Sequence, residues 1–155
     1  MTIDDLLARE AIRDTLAKYN VSGDRLKAED YAACFTEDGI IESTTRGVAE
    51  NFRFDGRAAI FEWQNRWRSA KPGEAQKDVV RKATFVRHNL TTCKIDLTGP
   101  ETAKVRTYWI VMSDNGPDHC GVYLDEFRKV GEDWLIAHRK VRTDWHAPDS
   151  LFSGD

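Results

Sequence analysis

Residues 102–145 read TAKVRTYWIVMSDNGPDHCGVYLDEFRKVGEDWLIAHRKVRTDW. Three long runs rich in β-branched and aromatic residues are separated by NGPD and VGED, which carry the Gly, Pro, Asn and Asp chemistry of tight turns. Sequential strands joined by such turns are antiparallel neighbours. A fourth run, ATFVRHNLTTCKIDL at 83–97, precedes them and is joined by TGPE. The second half of the chain is therefore an antiparallel meander.

Upstream the period changes. Leu6, Leu7, Glu10, Ala11, Thr15, Leu16 and Tyr19, with Ile12 widening the face, follow helical spacing. NVSGD at 20–24 ends that helix, with Gly23 suited to the break. RLKAEDYAACF predicts a short second helix, with Leu26, Tyr31 and Cys34 or Phe35 facing inward, and TEDG at 36–39 closes it. GIIESTTR and NFRFDG predict two strands. GRAAIFEWQNRWRSA returns to helix, with Ala59, Ile60, Trp63 and Trp67 on one side, and KPGEAQKD at 71–78 reads as a polar loop. The class is α+β: helices first, then a curved antiparallel sheet wrapped over them. No repeat or linker divides residues 1–155, which read as one domain. Residues 148–155 read as a loose tail, from which Leu151 and Phe152 could dock.

The chain has 155 residues, 41% hydrophobic and 32% charged, with net charge −3. That composition fits a soluble domain and argues against a nucleic-acid partner, which a clustered basic surface would announce. No run approaches the ~20 apolar residues of a membrane helix. The acidic, amphipathic N-terminus lacks the pattern of a signal peptide, so a cytoplasmic location is expected. Cys34, Cys93 and Cys120 form no CxxC pair and read as reduced, small apolar side chains. His119, His138 and His146 show no HxH or HExxH spacing, so no metal is expected.

One strand carries a histidine in an unusual setting: His88, in RHN near the start of the 83–97 run. Three stretches, AIRDTLAKYNVSGD, VRHNLTTCKIDLTGPETAKVRTYW and GVYLDEFRKVGEDWLIAHRKVRTDW, together resemble the SnoaL-like domains of the NTF2-like (cystatin-like) superfamily. Within it the chain looks most like the group that holds scytalone dehydratase, bile acid 7α-dehydratase and hexachlorocyclohexane dehydrochlorinase. The resemblance implies a cofactor-independent lyase, with Asp24 matching the acid and His88 the histidine of a catalytic dyad. It also matches Tyr19 to a phenol of the bile-acid enzyme. The chain departs from that group at Thr107, Trp109 and Val111, where the dehydratases carry other polar residues. It departs again at Thr92, where an asparagine is common.

Such a dyad suits elimination beta to a carbonyl. Histidine is near neutrality a competent base, and a carboxylate beside it fixes its tautomer. A tyrosine hydroxyl, from Tyr19 or Tyr123, can donate to the developing enolate oxygen. Strand alternation puts Leu90 and Thr92 on the face of His88, and Trp109, Tyr123 and Phe127 on facing strands, lining a pocket for a hydrophobic cyclic or aromatic ligand. Plainer roles stand beside these. Asp24 reads as an N-cap of the second helix, His88 as a structural histidine, Tyr19 as core packing, and Trp63 and Trp67 as core or subunit interface. Arg139 and Arg142 read as a solvated or interface face. The reaction alternatives are an isomerase- or cyclase-type proton transfer, and a non-catalytic binding or assembly domain. A sheet face rich in aromatic and charged residues predicts a homo-oligomer, dimer or trimer.

Overall fold

The computed structural model describes residues 1–43, 51–67, 75–76, 79–80 and 83–152. The elements in chain order are α1 (Ile3–Asp24), α2 (Ala28–Ala32), β1 (Phe35–Ser43), β2 (Phe52–Asp55), α3 (Arg57–Asn65), β3 (Ala75–Gln76), β4 (Val79–Val80), β5 (Arg87–Gly99), β6 (Thr102–Ser113), β7 (Gly116–Val130) and β8 (Asp133–His146). Six strands form one sheet in the order β2-β1-β8-β7-β6-β5, and β3 and β4 pair separately. The expected polar loop therefore contains β3, whose partner β4 lies just beyond it; its remaining residues, like 44–46 of the first expected strand and 68–70 of the expected helix, lie outside the described residues.

The meander over β5–β8 is as expected, with each neighbour antiparallel. The β1–β8 pair is parallel. No hairpin constrains it, because β1 enters the sheet from the helices rather than from a turn. The stretch TEDG is not a turn but part of β1, where the register with β8 shifts between Phe35 and Ile40. Further shifts interrupt β5 between Leu90 and Cys93, β7 between Val111 and Met112 of its partner, and the β7–β8 ladder at Cys120/Gly121 and Glu126/Phe127. Each adds a residue to one strand, bends the sheet and re-aims side chains beyond it.

α1 starts on a capping box: Thr2 Oγ1 accepts from the Asp5 N–H, and Asp5 accepts from the Thr2 N–H. Its inward stripe is Ile12, Leu16 and Tyr19, all buried, while Leu6 and Leu7 are exposed. The stripe thus begins later than the spacing suggests, because the sheet covers only the second half of the helix. Thr15 donates to the Trp134 carbonyl at 2.7 Å and Arg9 to the Ile95 carbonyl at 2.5 Å, tying α1 to β8 and β5. Between helices and sheet lie Phe35, Ile41, Ile60, Val105, Val111, Phe127 and Ile136, all essentially without exposure.

Candidate active site

α1 does not stop at Gly23 but runs on to Asp24. The short α2 carries no side-chain cap, and its N-cap position is Lys27. The N-cap reading of Asp24 is therefore corrected: Asp24 closes the C-terminal turn of the first helix. A carboxylate there faces the negative end of the helix dipole, which opposes it by roughly 0.3–1 kcal/mol. What offsets that cost is across the fold. Asp24 Oδ2 accepts the His88 main-chain N–H at 3.0 Å, and Oδ1 meets His88 Nδ1 at 2.6 Å. β5 is the edge of the sheet, so its outward N–H at His88 has no strand partner and the carboxylate satisfies it. The Asp24 side chain is 8% exposed and that of His88 28%. With Nδ1–H turned to the carboxylate, the open edge of the imidazole carries Nε2 as a lone pair.

Behind His88 a run of ring contacts leads into the core. Trp109 lies 6.5 Å from His88 and 5.5 Å from Tyr123, with which it stacks. Tyr123 meets Tyr19 at 5.9 Å, and Tyr19 meets Tyr31 at 4.4 Å. Trp63 continues the run from Tyr31 to Phe52 and Phe54. The Tyr31 hydroxyl donates to the Tyr19 oxygen at 2.5 Å. Burial raises the phenols of Tyr19 and Tyr123 above their ordinary value, so both are held protonated and can donate. At Tyr123 burial is the main cause, and the neighbouring Tyr19 and the charges of Asp125 and Asp24 add to it.

Beneath the tyrosines sits a buried ion pair. Arg139 Nε and Nη2 donate to the two Asp125 oxygens at 2.8 and 2.7 Å, and neither side chain is exposed. The guanidinium lies 4.0 Å from the Tyr19 ring and 4.1 Å from the Tyr123 ring, a cation–π contact with each. Burial opposes its charge, but Asp125 and the two phenols outweigh burial and hold it protonated. Its Nη1, the Trp109 indole N–H and both polar atoms of the Asn20 side chain are buried with no partner among the described residues. Such groups are costly to leave unmade and are where a polar ligand gains most.

The structure thus brings Asp24, His88, Trp109, Tyr123 and Tyr19 into one contiguous set. It does not bring in Thr92 or Phe127. The register shift after Leu90 turns Cys93 rather than Thr92 to the inner side, and Thr92 is exposed. Phe127 is buried, but eight residues along β7 from His119, about 26 Å at the usual strand rise. It belongs to the core at the far end. Arg139 is not a solvated residue, whereas Arg142 is half exposed and paired with Asp144. Cys34 is buried, and burial lifts its thiol to about 11, so it is not a nucleophile.

Among the pairs that the sequence reading misses is His119 with Asp118: His119 Nδ1 contacts Asp118 Oδ2 at 2.7 Å, and His119 packs edge-on against Trp109 at 5.4 Å. Two surface depressions lie elsewhere, one beside Leu97, Pro100 and Trp134 and one beside Lys18, Cys34 and Arg57. Neither reaches His88, and neither is lined by a histidine. Among the described residues no cluster of His, Cys, Asp or Glu could hold a metal ion, and no helix is long and apolar enough to cross a membrane.

A profile of the SnoaL-like domain matches residues 4–140. The chain belongs to the SnoaL-like domain family. No curated protein matches it. Among solved structures, this SnoaL-like domain is similar to a provisionally named scytalone dehydratase from Novosphingobium aromaticivorans, with 24% identity, 97% of this chain and 95% of that one covered, and a TM-score of 0.71. A hexachlorocyclohexane dehydrochlorinase gives 14% identity, coverage of 94% and 91%, and a TM-score of 0.71. An NTF2-like protein with a cystatin-like fold, also from N. aromaticivorans, gives 22% identity, coverage of 94% and 87%, and a TM-score of 0.68. At these identities the likeness is one of fold, and the fold is the NTF2-like α+β cone.

Proposed function

We propose that this protein is a cofactor-independent lyase that eliminates water, or another leaving group, from a hydrophobic cyclic small molecule. The observation that carries the reading is the Asp24–His88 contact, 2.6 Å from carboxylate to Nδ1 with a second bond to the main chain at 3.0 Å. An acid fixed at the unfavourable end of its helix, holding one histidine tautomer, is an arrangement that folding alone does not ask for.

In this mechanism Nε2 of His88 takes the proton alpha to a carbonyl, and Asp24 stabilises the imidazolium that forms. The Tyr123 hydroxyl donates to the developing enolate oxygen; Tyr19, whose oxygen already accepts from Tyr31, supports Tyr123 through ring contact. The electrons of the broken C–H bond become the new C=C bond as the C–O bond opens. The departing oxygen takes the proton back from His88 and leaves as water. Trp109 forms the apolar wall beside the ring. The names of two structural neighbours, a dehydratase and a dehydrochlorinase, support elimination as the reaction class.

The test is a panel of cyclic β-hydroxyketones, with enone formation followed by absorbance for wild type and His88→Asn. The expected result is dehydration by the wild type and a loss of about 10³-fold in the variant. Exchange of the α-proton in deuterated water without any enone would replace elimination by isomerase-type proton transfer. The same reading includes a homo-oligomer: Tyr108 and Trp145 are 46% and 48% exposed on the outer side of the sheet, with Ile110 and Leu124 beside them. Light scattering of wild type and Tyr108→Glu would reveal a dimer or trimer that the charge disrupts.

A further inference from the structure

His88, Val111, His119 and His146 form one cross-strand row through β5, β6, β7 and β8. Along a regular strand Asp118 and His119 would point to opposite faces. Here Val111 pairs with His119 and Met112 with Pro117, so Asp118 is the extra residue of a bulge, and the two side chains meet. Asp118 is fully buried and saturated: it also accepts from Ser150 Oγ at 2.6 Å, the Leu151 N–H at 2.8 Å and Ser113 Oγ at 3.3 Å. That network fixes the His119 ring with Nδ1 as donor. Nε2 is left as an acceptor with no partner among the described residues, on a side chain 19% exposed.

His119 therefore mirrors His88. The two imidazoles flank one indole, Trp109, at 5.4 and 6.5 Å between ring centres, with backbones two strand spacings, about 10 Å, apart. Trp109 carries the unpartnered indole N–H. The edge of the indole that bears it crosses β7 at Gly121, the next inward position from His119, where a β-carbon would lie only 2.8 Å from Trp109 Cζ2. The groups facing His119 are Asp118, His88 and His146; burial outweighs Asp118 and holds the imidazole neutral near pH 7, where it can only accept at Nε2.

We propose that His119 is a substrate-binding residue that accepts a hydrogen bond from a ligand hydroxyl, and so selects hydroxylated over halogenated or unsubstituted ring compounds. This rests on the reading of His88–Asp24 as the proton-transfer pair of the same site. A hydroxyl is the group that can donate to Nε2 and accept from the indole N–H together, whereas a carbon-bound halogen cannot donate at all.

The test uses 2-naphthol and 2-fluoronaphthalene, with binding read from the imidazole signals of His88 and His119 in heteronuclear NMR titrations. Wild type is expected to bind the naphthol about tenfold more tightly, the worth of one hydrogen bond to a buried acceptor. His119→Phe should lose that preference, and His119→Gln, which keeps an acceptor, should retain part of it. Equal affinities in wild type, or an undiminished preference in His119→Phe, would overturn the assignment. Absence of binding by either probe would remove both the ligand site and the lyase reading. An intact preference beside undiminished dehydration by His88→Asn would sink the lyase reading alone.

Discussion

Asp24→Asn separates chemistry from stability. The carboxylate accepts two N–H groups of His88, one from the ring at 2.6 Å and one from the main chain at 3.0 Å. A carboxamide has one oxygen for that work. If it keeps the main-chain N–H, its NH₂ faces the ring, and the imidazole must present a lone pair at Nδ1. The proton then moves to Nε2, the atom that has to be bare to act as a base. Losing the correct tautomer and the charge behind it costs about 10³- to 10⁴-fold in kcat/KM, or ~4–5.5 kcal/mol of transition-state stabilisation. Folding loses less, because shape and burial persist: about 1–2 kcal/mol for a weakened charge-assisted bond. That corresponds to a urea midpoint lower by roughly 0.5–1 M at ordinary m-values. The assays are enone formation, long-range ¹H–¹⁵N spectra that report which ring nitrogen is protonated, and urea denaturation. Activity within tenfold of wild type, with His88 still protonated at Nδ1, would refute the reasoning.

Three other outcomes follow from the same geometry. Asp125→Leu leaves the Arg139 guanidinium buried and unpaired, and should cost about 3–5 kcal/mol in urea unfolding, while Asp125→Leu combined with Arg139→Met should recover most of it. Gly121→Ala drives a β-carbon into the Arg142 carbonyl oxygen and to 2.9 Å from Thr143 Cα, so β7 and β8 must part; thermal denaturation should show a loss of several kcal/mol, and near-ultraviolet circular dichroism a disturbed Trp109. Burial holds His119 below its ordinary 6.5, so below that value the unfolded chain binds the proton more readily. Its contribution to stability is complete above about pH 6.5 and declines as pH falls towards the folded value; His119→Phe should flatten the slope of melting temperature between about pH 7 and 5.

The meander was legible because turn chemistry fixes partners locally. The site was legible only where a residue's place does not depend on an irregular ladder. Leu90 stands before the bulge in β5, so alternation from His88 gives its face; Thr92 stands within the bulge, and alternation fails. The Arg139–Asp125 pair shows the same physics. Counting back from Val130↔Asp133 with regular pairing sets Asp125 opposite His138; the shift at Glu126/Phe127 moves it to Arg139. Asp118 and His119 are adjacent in sequence, which in a strand means opposite faces, so only the bulge makes them a pair. The one signal was chemical: two polar residues, Asp and His, side by side near the start of the strand. For Asp24 the residue is legible but its element is not: an Asp ahead of a helical run reads as an N-cap, with Gly23 suited to a break before it, while α1 runs to Asp24 itself. Instead a β-carbon at Gly23 would lie 3.2 Å from the Tyr31 ring, so glycine there serves close packing of α2 on α1.

The residues after β8 have a bearing on how the protein can be handled. Ser150 and Leu151 bind the Asp118 carboxylate, the Ala147 N–H donates to the Asp118 carbonyl at 2.7 Å, and Phe152 lies 5.3 Å from the His119 ring. A clip by a protease ahead of Ser150 would strip donors from a sealed carboxylate and leave His119 loosely held. The damage would surface as altered ligand choice in a protein whose sheet and helices remain intact, and a purified sample could pass every test of folding while misreporting its own specificity.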